Sequence, residues 1–142
     1  MNRGLVIVDM QNDYFPGGKM ELFGIKAAAE NAAALLTEFR KSKRPVIHIQ
    51  HISLAPNASY FLPGTEGAQL NARVSPKEGE TVIVKNYPNS FRNTSLSEIL
   101  RRMGIDHLVI CGAMSHMCID ATTRAAFDLG FNCAVAEDAC AT

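Results

Sequence analysis

The sequence predicts a doubly wound α/β fold, a parallel sheet with helices on both faces, and three observations carry that expectation. Five short runs rich in Val and Ile recur along the chain, and helical patterns separate them. The runs are continuous in hydrophobicity, which suits strands covered on both faces of a parallel sheet. Regular alternation of strand with helix then selects the α/β class over segregated arrangements.

In chain order, Gly4 to Met10 ("GLVIVDM") reads as the first strand, with Asp9 at its end. The Gly17 and Gly18 pair that follows is a turn, because the phosphate-cradling motif around such glycines is incomplete here. Ile25 to Lys43 has a helical pattern, and Pro45 to Gln50 is the second strand. Between Ser53 and Glu80 lie three prolines, three glycines and no sustained period. A loop this long inside a compact domain is read as a functional border rather than slack. Thr81 to Lys85 is the third strand, Thr94 to Met103 a helix, His107 to Gly112 the fourth strand, Cys118 to Leu129 a helix and Cys133 to Ala136 the fifth strand. The chain stops at Thr142 just past that strand, which leaves one side of the sheet without a covering helix.

Composition narrows the function. With 142 residues, 47% of them hydrophobic and 20% charged, the chain is expected to form one domain over residues 1–142 with a real core. Fourteen basic residues balance fourteen acidic ones, so nucleic acid and anionic membrane are not expected partners. No signal-like start and no bilayer-length apolar run are present, and a cytoplasmic location is expected. The four cysteines, at 111, 118, 133 and 140, are read as reduced thiols. There is no CxxC, and His116 with Cys118 is the only close Cys/His pair, so no metal is expected.

Ligands of open parallel sheets bind beyond the carboxyl ends of the strands. Three chemically complementary residues fall at that rim: Asp9 after "LVIV", Lys85 after "TVIV", and Cys118 in "VICGAMSHMC". Singly, each has an ordinary reading as a solvated charge or a packed thiol. Together they describe a nucleophile with its base and its cation. A helix N-terminus and an ammonium favour a thiolate at Cys118. Free backbone N–H groups at Met114 to Cys118 are placed for an oxyanion, and Ser115 is positioned as the helix cap. Asp9 is able to take the thiol proton and return it to a leaving amine.

The histidines divide. His116 lies two residues before Cys118, where helical side chains do not face one another, so it is read as a substrate contact rather than a base. His107 starts a strand at the opposite edge. His48 and His51, three apart on a strand, point to opposite faces; His51 at the strand end is directed to the pocket. Phe15, Phe61, Tyr87 and Phe91 are candidate pocket walls, with ordinary core packing as the alternative. Gln11 and Asn12 are read as braces of the first loop.

The segments "VDMQNDYF", "VKNYPNSF" and "GAMSHMCIDATTRAAFDLG" resemble the three signature regions of the isochorismatase-like cysteine hydrolases, a group that includes nicotinamidases. The resemblance covers nearly the whole chain in the same order. It implies a Rossmann-like three-layer fold with six parallel strands, of which five are visible here and the sixth has no counterpart. It implies an Asp9, Lys85 and Cys118 triad, and a cis peptide between Ala113 and Met114 that aims the Met114 and Cys118 N–H groups at the oxyanion. It also implies a homo-oligomer, dimer or tetramer. The metal-binding nicotinamidases carry Asp-x-His and further histidines after the second strand; here the chain reads "IQHISLAPNASYF", so no catalytic metal and no cofactor are expected.

The expected activity is hydrolysis of a C–N bond in a small amide-type molecule, through a thioester on Cys118. Two alternatives stand beside it. One is hydrolysis of a vinyl ether without a thiol nucleophile; the other is a binding or regulatory relative that keeps the residues without the chemistry.

Overall fold

The computed structural model describes residues 1–142. Its strands are β1 (Arg3–Val8), β2 (Val46–His51), β3 (Thr81–Lys85), β4 (His107–Ala113) and β5 (Asn132–Ala141), and its helices are α1 (Ile25–Lys41), α2 (Leu96–Arg102) and α3 (Asp120–Asp128). All five strands pair in parallel in the order β3-β2-β1-β4-β5. The chain therefore winds outward from β1 first to one side and then to the other. Its switch point, where crevices form in open sheets, lies between β1 and β4.

Alternation along β1 builds the two cores. Leu5 and Ile7 face α1, while Val6 and Val8 face the layer that holds Leu96, Leu100 and Ala126 of α2 and α3. The expected three-layer α/β arrangement is what forms. Helix α1 buries Ile25, Ala28, Ala29, Ala32, Leu36 and Phe39, the spacing of a single helical face. Arg40 and Lys41 complement the dipole of its last turn, and the Arg44 N–H closes that end on the Phe39 carbonyl. No helix is long and apolar enough to cross a membrane.

The structure corrects four expectations. Coverage on both faces holds for the inner strands but not for the edges, where Val82, Val84 and Val135 are exposed. The fifth strand runs to Ala141 rather than Ala136, because beyond a register shift Cys140 and Ala141 pair with Gly112 and Ala113; the polar Glu137 and Asp138 occupy the irregular stretch. The helix read from Cys118 starts instead at Asp120. It is preceded by a wide π-type turn, Ser115–Ile119, in which the Ile119 N–H reaches back to the Met114 carbonyl. Ser115 does not cap that helix; its hydroxyl lies 3.4 Å from the Ala141 carbonyl.

Candidate active site

The end of β1 positions Asp9. Its N–H is held by the Ile49 carbonyl, its φ is +52°, and its side chain is fully buried. Lys85 closes β3, in register with His51 of β2, and is 1% exposed. Cys118 sits in the π-type turn that follows β4, beyond the cis Ala113–Met114 peptide. Three residues far apart in sequence thus meet at one rim. The Lys85 Nζ lies 2.9 Å from Asp9 Oδ2 and 3.4 Å from Cys118 Sγ.

The ammonium spends its protons unevenly. Nζ donates to the Tyr87 carbonyl at 2.9 Å and to His51 Nδ1 at 2.8 Å, and the thiol takes the third direction. Asp9 is therefore paired by charge at ion-pair distance, while neither of its oxygens receives a hydrogen bond of good geometry. Such a carboxylate is poorly compensated. Burial pushes the Asp9 carboxyl up from its ordinary range against the pull of Lys85. Cys118 is pushed up to about 12, by burial first and by the Asp9 charge second, with Lys85 opposing. The expectation of a thiolate poised by cation and helix is thus corrected. A buried thiol beside a carboxylate rests protonated, and its proton has an acceptor at hand in Asp9.

Asp9, His51 and Cys118 each offer a possible metal-ligating atom, and these atoms lie within 4.8 Å of one another. The Lys85 ammonium already lies between them, within 2.8 to 3.4 Å of each. The donor set is therefore matched by a cation of the chain itself and does not fit a metal.

A cavity of about 40 Å³ opens over the thiol, lined by Tyr14, His51, Tyr60, Phe61, Pro88, Met114, Met117 and Cys118. Of the residues read as pocket candidates, His51 and Phe61 line it together with Cys118. Phe15 does not: it packs in the core and borders a separate, larger polar cleft under Arg73. Phe91 stacks on Phe131 at 6.1 Å on the far core, and Tyr87 lies beneath Arg92. His116 is exposed and turns to Thr142 instead. The larger cleft, about 800 Å³, contains no member of the Asp9, Lys85 and Cys118 group.

Tyr14, Tyr60, Pro88 and Met117 complete the wall and are not singled out by the sequence pattern. The signal available was the doublet Tyr-Phe, which occurs at 14–15 and again at 60–61. At the first doublet the tyrosine faces the cavity and at the second both residues do. Tyr14 packs edge-on to Phe61 at 4.7 Å, as does Tyr60 at 4.9 Å. The wall is held from outside by Asp13, whose Oδ2 accepts the Phe61 N–H at 2.8 Å. Gln11, read as a brace of the first loop, ties that loop to the end of β2 and to the long loop, donating to the His51 and Ala68 carbonyls and accepting the His51 N–H, each at 2.8 Å.

A thiol, a carboxylate and an ammonium meeting at the carboxyl rim of a doubly wound sheet define a class of site, and comparison with known proteins supplies the family. The isochorismatase domain matches residues 3–142. The uncharacterized isochorismatase family protein YddQ of Bacillus subtilis is 54% identical over 142 residues, covering 100% of this chain and 79% of that protein. The crystal structure of an isochorismatase from Pseudomonas putida superposes with a TM-score of 0.92 at 41% identity, covering 99% of this chain and 71% of that one. The maleamate amidohydrolase of Pseudomonas putida is 29% identical over 148 residues, covering 94% of this chain and 70% of that protein. The chain belongs to the isochorismatase family, and it is a hydrolase.

Proposed function

We propose that the protein is a cysteine hydrolase that cleaves the C–N bond of a small amide-type substrate through a thioester on Cys118. The observation that carries this is one ammonium, Lys85 Nζ, at 2.9 Å from Asp9 and 3.4 Å from the Cys118 sulfur, with the sulfur facing a mainly apolar cavity. Similarity to an amidohydrolase supports the choice of bond.

Asp9 accepts the thiol proton as the sulfur attacks the carbonyl carbon. Negative charge passes to the carbonyl oxygen, where backbone N–H groups of the Met114 to Cys118 turn take it up. Met117 and Ile119 donate to the Met114 carbonyl, and the Met114 and Cys118 N–H groups take the oxyanion, as the family resemblance implies. Collapse breaks the C–N bond, and the proton on Asp9 leaves with the amine. Asp9 then deprotonates a water that attacks the thioester, and the returning sulfur takes the proton back. Lys85 keeps the developing charges compensated throughout. A homo-oligomer, dimer or tetramer, is part of the same reading.

Ammonia release from a panel of small primary amides, ureas and carbamates, with Cys118→Ala as the blank, tests the proposal. The expected result is turnover that vanishes in the variant, with an acyl mass on the Cys118 peptide after acid quench. Turnover of a vinyl ether that survives Cys118→Ala, with no amide cleaved by the wild type, overturns it.

A further inference from the structure

We propose that His51 is a specificity residue that presents one fixed N–H donor, at Nε2, to the substrate, so that the site favours uncharged amides carrying a second hydrogen-bond acceptor. The proposal rests on the hydrolase reading above.

The argument starts at Lys85. An ammonium has three protons and no lone pair, so each group bonded to it must accept. Tyr87 offers a carbonyl, and His51 Nδ1 lies at 2.8 Å. Nδ1 therefore carries a lone pair, and a neutral imidazole of that form holds its proton on Nε2. Burial and the Lys85 charge both keep the ring neutral, lowering its pKa to about 4. The ring is fixed in place as well as in protonation state. The His51 backbone N–H is bonded to Gln11 at 2.8 Å, and its ring packs against Phe61 at 5.9 Å between centroids.

Nε2 makes no hydrogen bond within the protein, and it is not among the sealed, unpartnered polar atoms. The residue lines the same cavity as the Cys118 sulfur. A substrate at that sulfur is thus within reach of a neutral donor that cannot turn into an acceptor. The remaining wall is Tyr14, Tyr60, Phe61, Pro88, Met114 and Met117, with no formal charge. A negatively charged acceptor would be stripped of water against a wall that supplies no opposing charge, close to the Asp9 carboxylate that Lys85 already pairs at 2.9 Å. An uncharged acceptor, such as a second carbonyl oxygen, meets no such cost.

Nitrogen NMR of the histidines and alkylation of Cys118, followed by peptide mass spectrometry, test this. At neutral pH the His51 ring is expected as the Nε2–H tautomer. The probes are iodoacetamide, which carries an uncharged carbonyl acceptor, and iodoethane, which carries none. His51→Asn keeps an acceptor near Lys85 but deletes the donor. It is expected to slow iodoacetamide about tenfold, the worth of one neutral hydrogen bond, and to leave iodoethane unaffected. His51→Gln, whose amide N–H falls near the former Nε2, is expected to recover most of the iodoacetamide rate. An Nδ1–H tautomer overturns the proposal. So does equal slowing of both reagents by His51→Asn, which would mean that the ring acts only through Lys85, or no recovery in His51→Gln. A wild-type Cys118 no faster with either reagent than the buried Cys111 sinks the hydrolase reading and this proposal with it, a result distinct from the other three.

Discussion

Asp9 is a residue whose surroundings work against its charge. It is buried, its oxygens lack hydrogen bonds, and its one compensation is an ammonium shared with a thiol, a carbonyl and an imidazole. Such an acid holds a proton more readily than a free one, which suits the proposed role of a base that later acts as an acid. The same carboxylate raises the thiol of Cys118, which yields a test with opposite signs in two measurements. In Asp9→Asn, burial still raises the thiol, but the carboxylate's contribution is gone and that of Lys85 remains. The thiol should titrate below about 12, read from thiolate absorbance with Cys118→Ser as blank. Amide hydrolysis should nevertheless fall by about 10² to 10⁴, the usual worth of a positioned proton carrier. A thiol that titrates unchanged would show that the carboxylate does not act on the sulfur.

At the scale of elements, β4 passes β1 at Gly112 too closely for a side chain. Gly112 has a φ of +126°, and a methyl group built there would overlap the Val8 carbonyl oxygen. The strand that delivers the Cys118 turn therefore depends on a position without a side chain. Gly112→Ala combines an unfavourable backbone region with a clash against backbone, which cannot move aside as a side chain does. We expect it to lose at least about 2 kcal/mol of stability by urea unfolding. Gly130, whose φ is +94° but which has open space around it, is the control and should lose less when changed to alanine.

Across the whole molecule, a polar link adds to the apolar contact between helix α1 and the sheet. Glu80 accepts from Arg40 of α1 at 2.6 and 3.0 Å and pairs with His48 of β2 at 2.7 Å. These partners hold the Glu80 carboxyl at about 2, against an ordinary 4.5. A depressed carboxyl stabilises the fold fully above its unfolded value, and that contribution is lost as pH falls through about 2. Burial lowers His48 below its ordinary 6.5, so the unfolded chain takes that proton first and stability also declines as pH drops below 6.5. Asp9, raised, runs the other way and favours the fold on protonation. Urea midpoints should fall from pH 6.5 towards pH 2, and Glu80→Gln should flatten the portion between 4.5 and 2. An unchanged slope in that variant would remove Glu80 from the account.

Local pattern was sufficient for much of this. Valine and isoleucine runs, a helix with apolar residues on one face, and the rule that strand ends gather ligands placed Asp9, Lys85 and Cys118 at one rim before any coordinate, because period and strand polarity are properties of adjacent residues. The wall of the pocket was not legible in the same way. Whether Tyr14 or Phe15 faces the cavity depends on how a loop is pinned by Asp13 and Gln11, residues that bond to chain some forty or more positions away. The same holds for the state of the thiol. Sequence supplies a cation and a helix start that favour its ionisation, whereas the folded chain surrounds it with burial and a carboxylate that oppose it. Desolvation belongs to no residue alone; it exists only once distant segments have excluded water together.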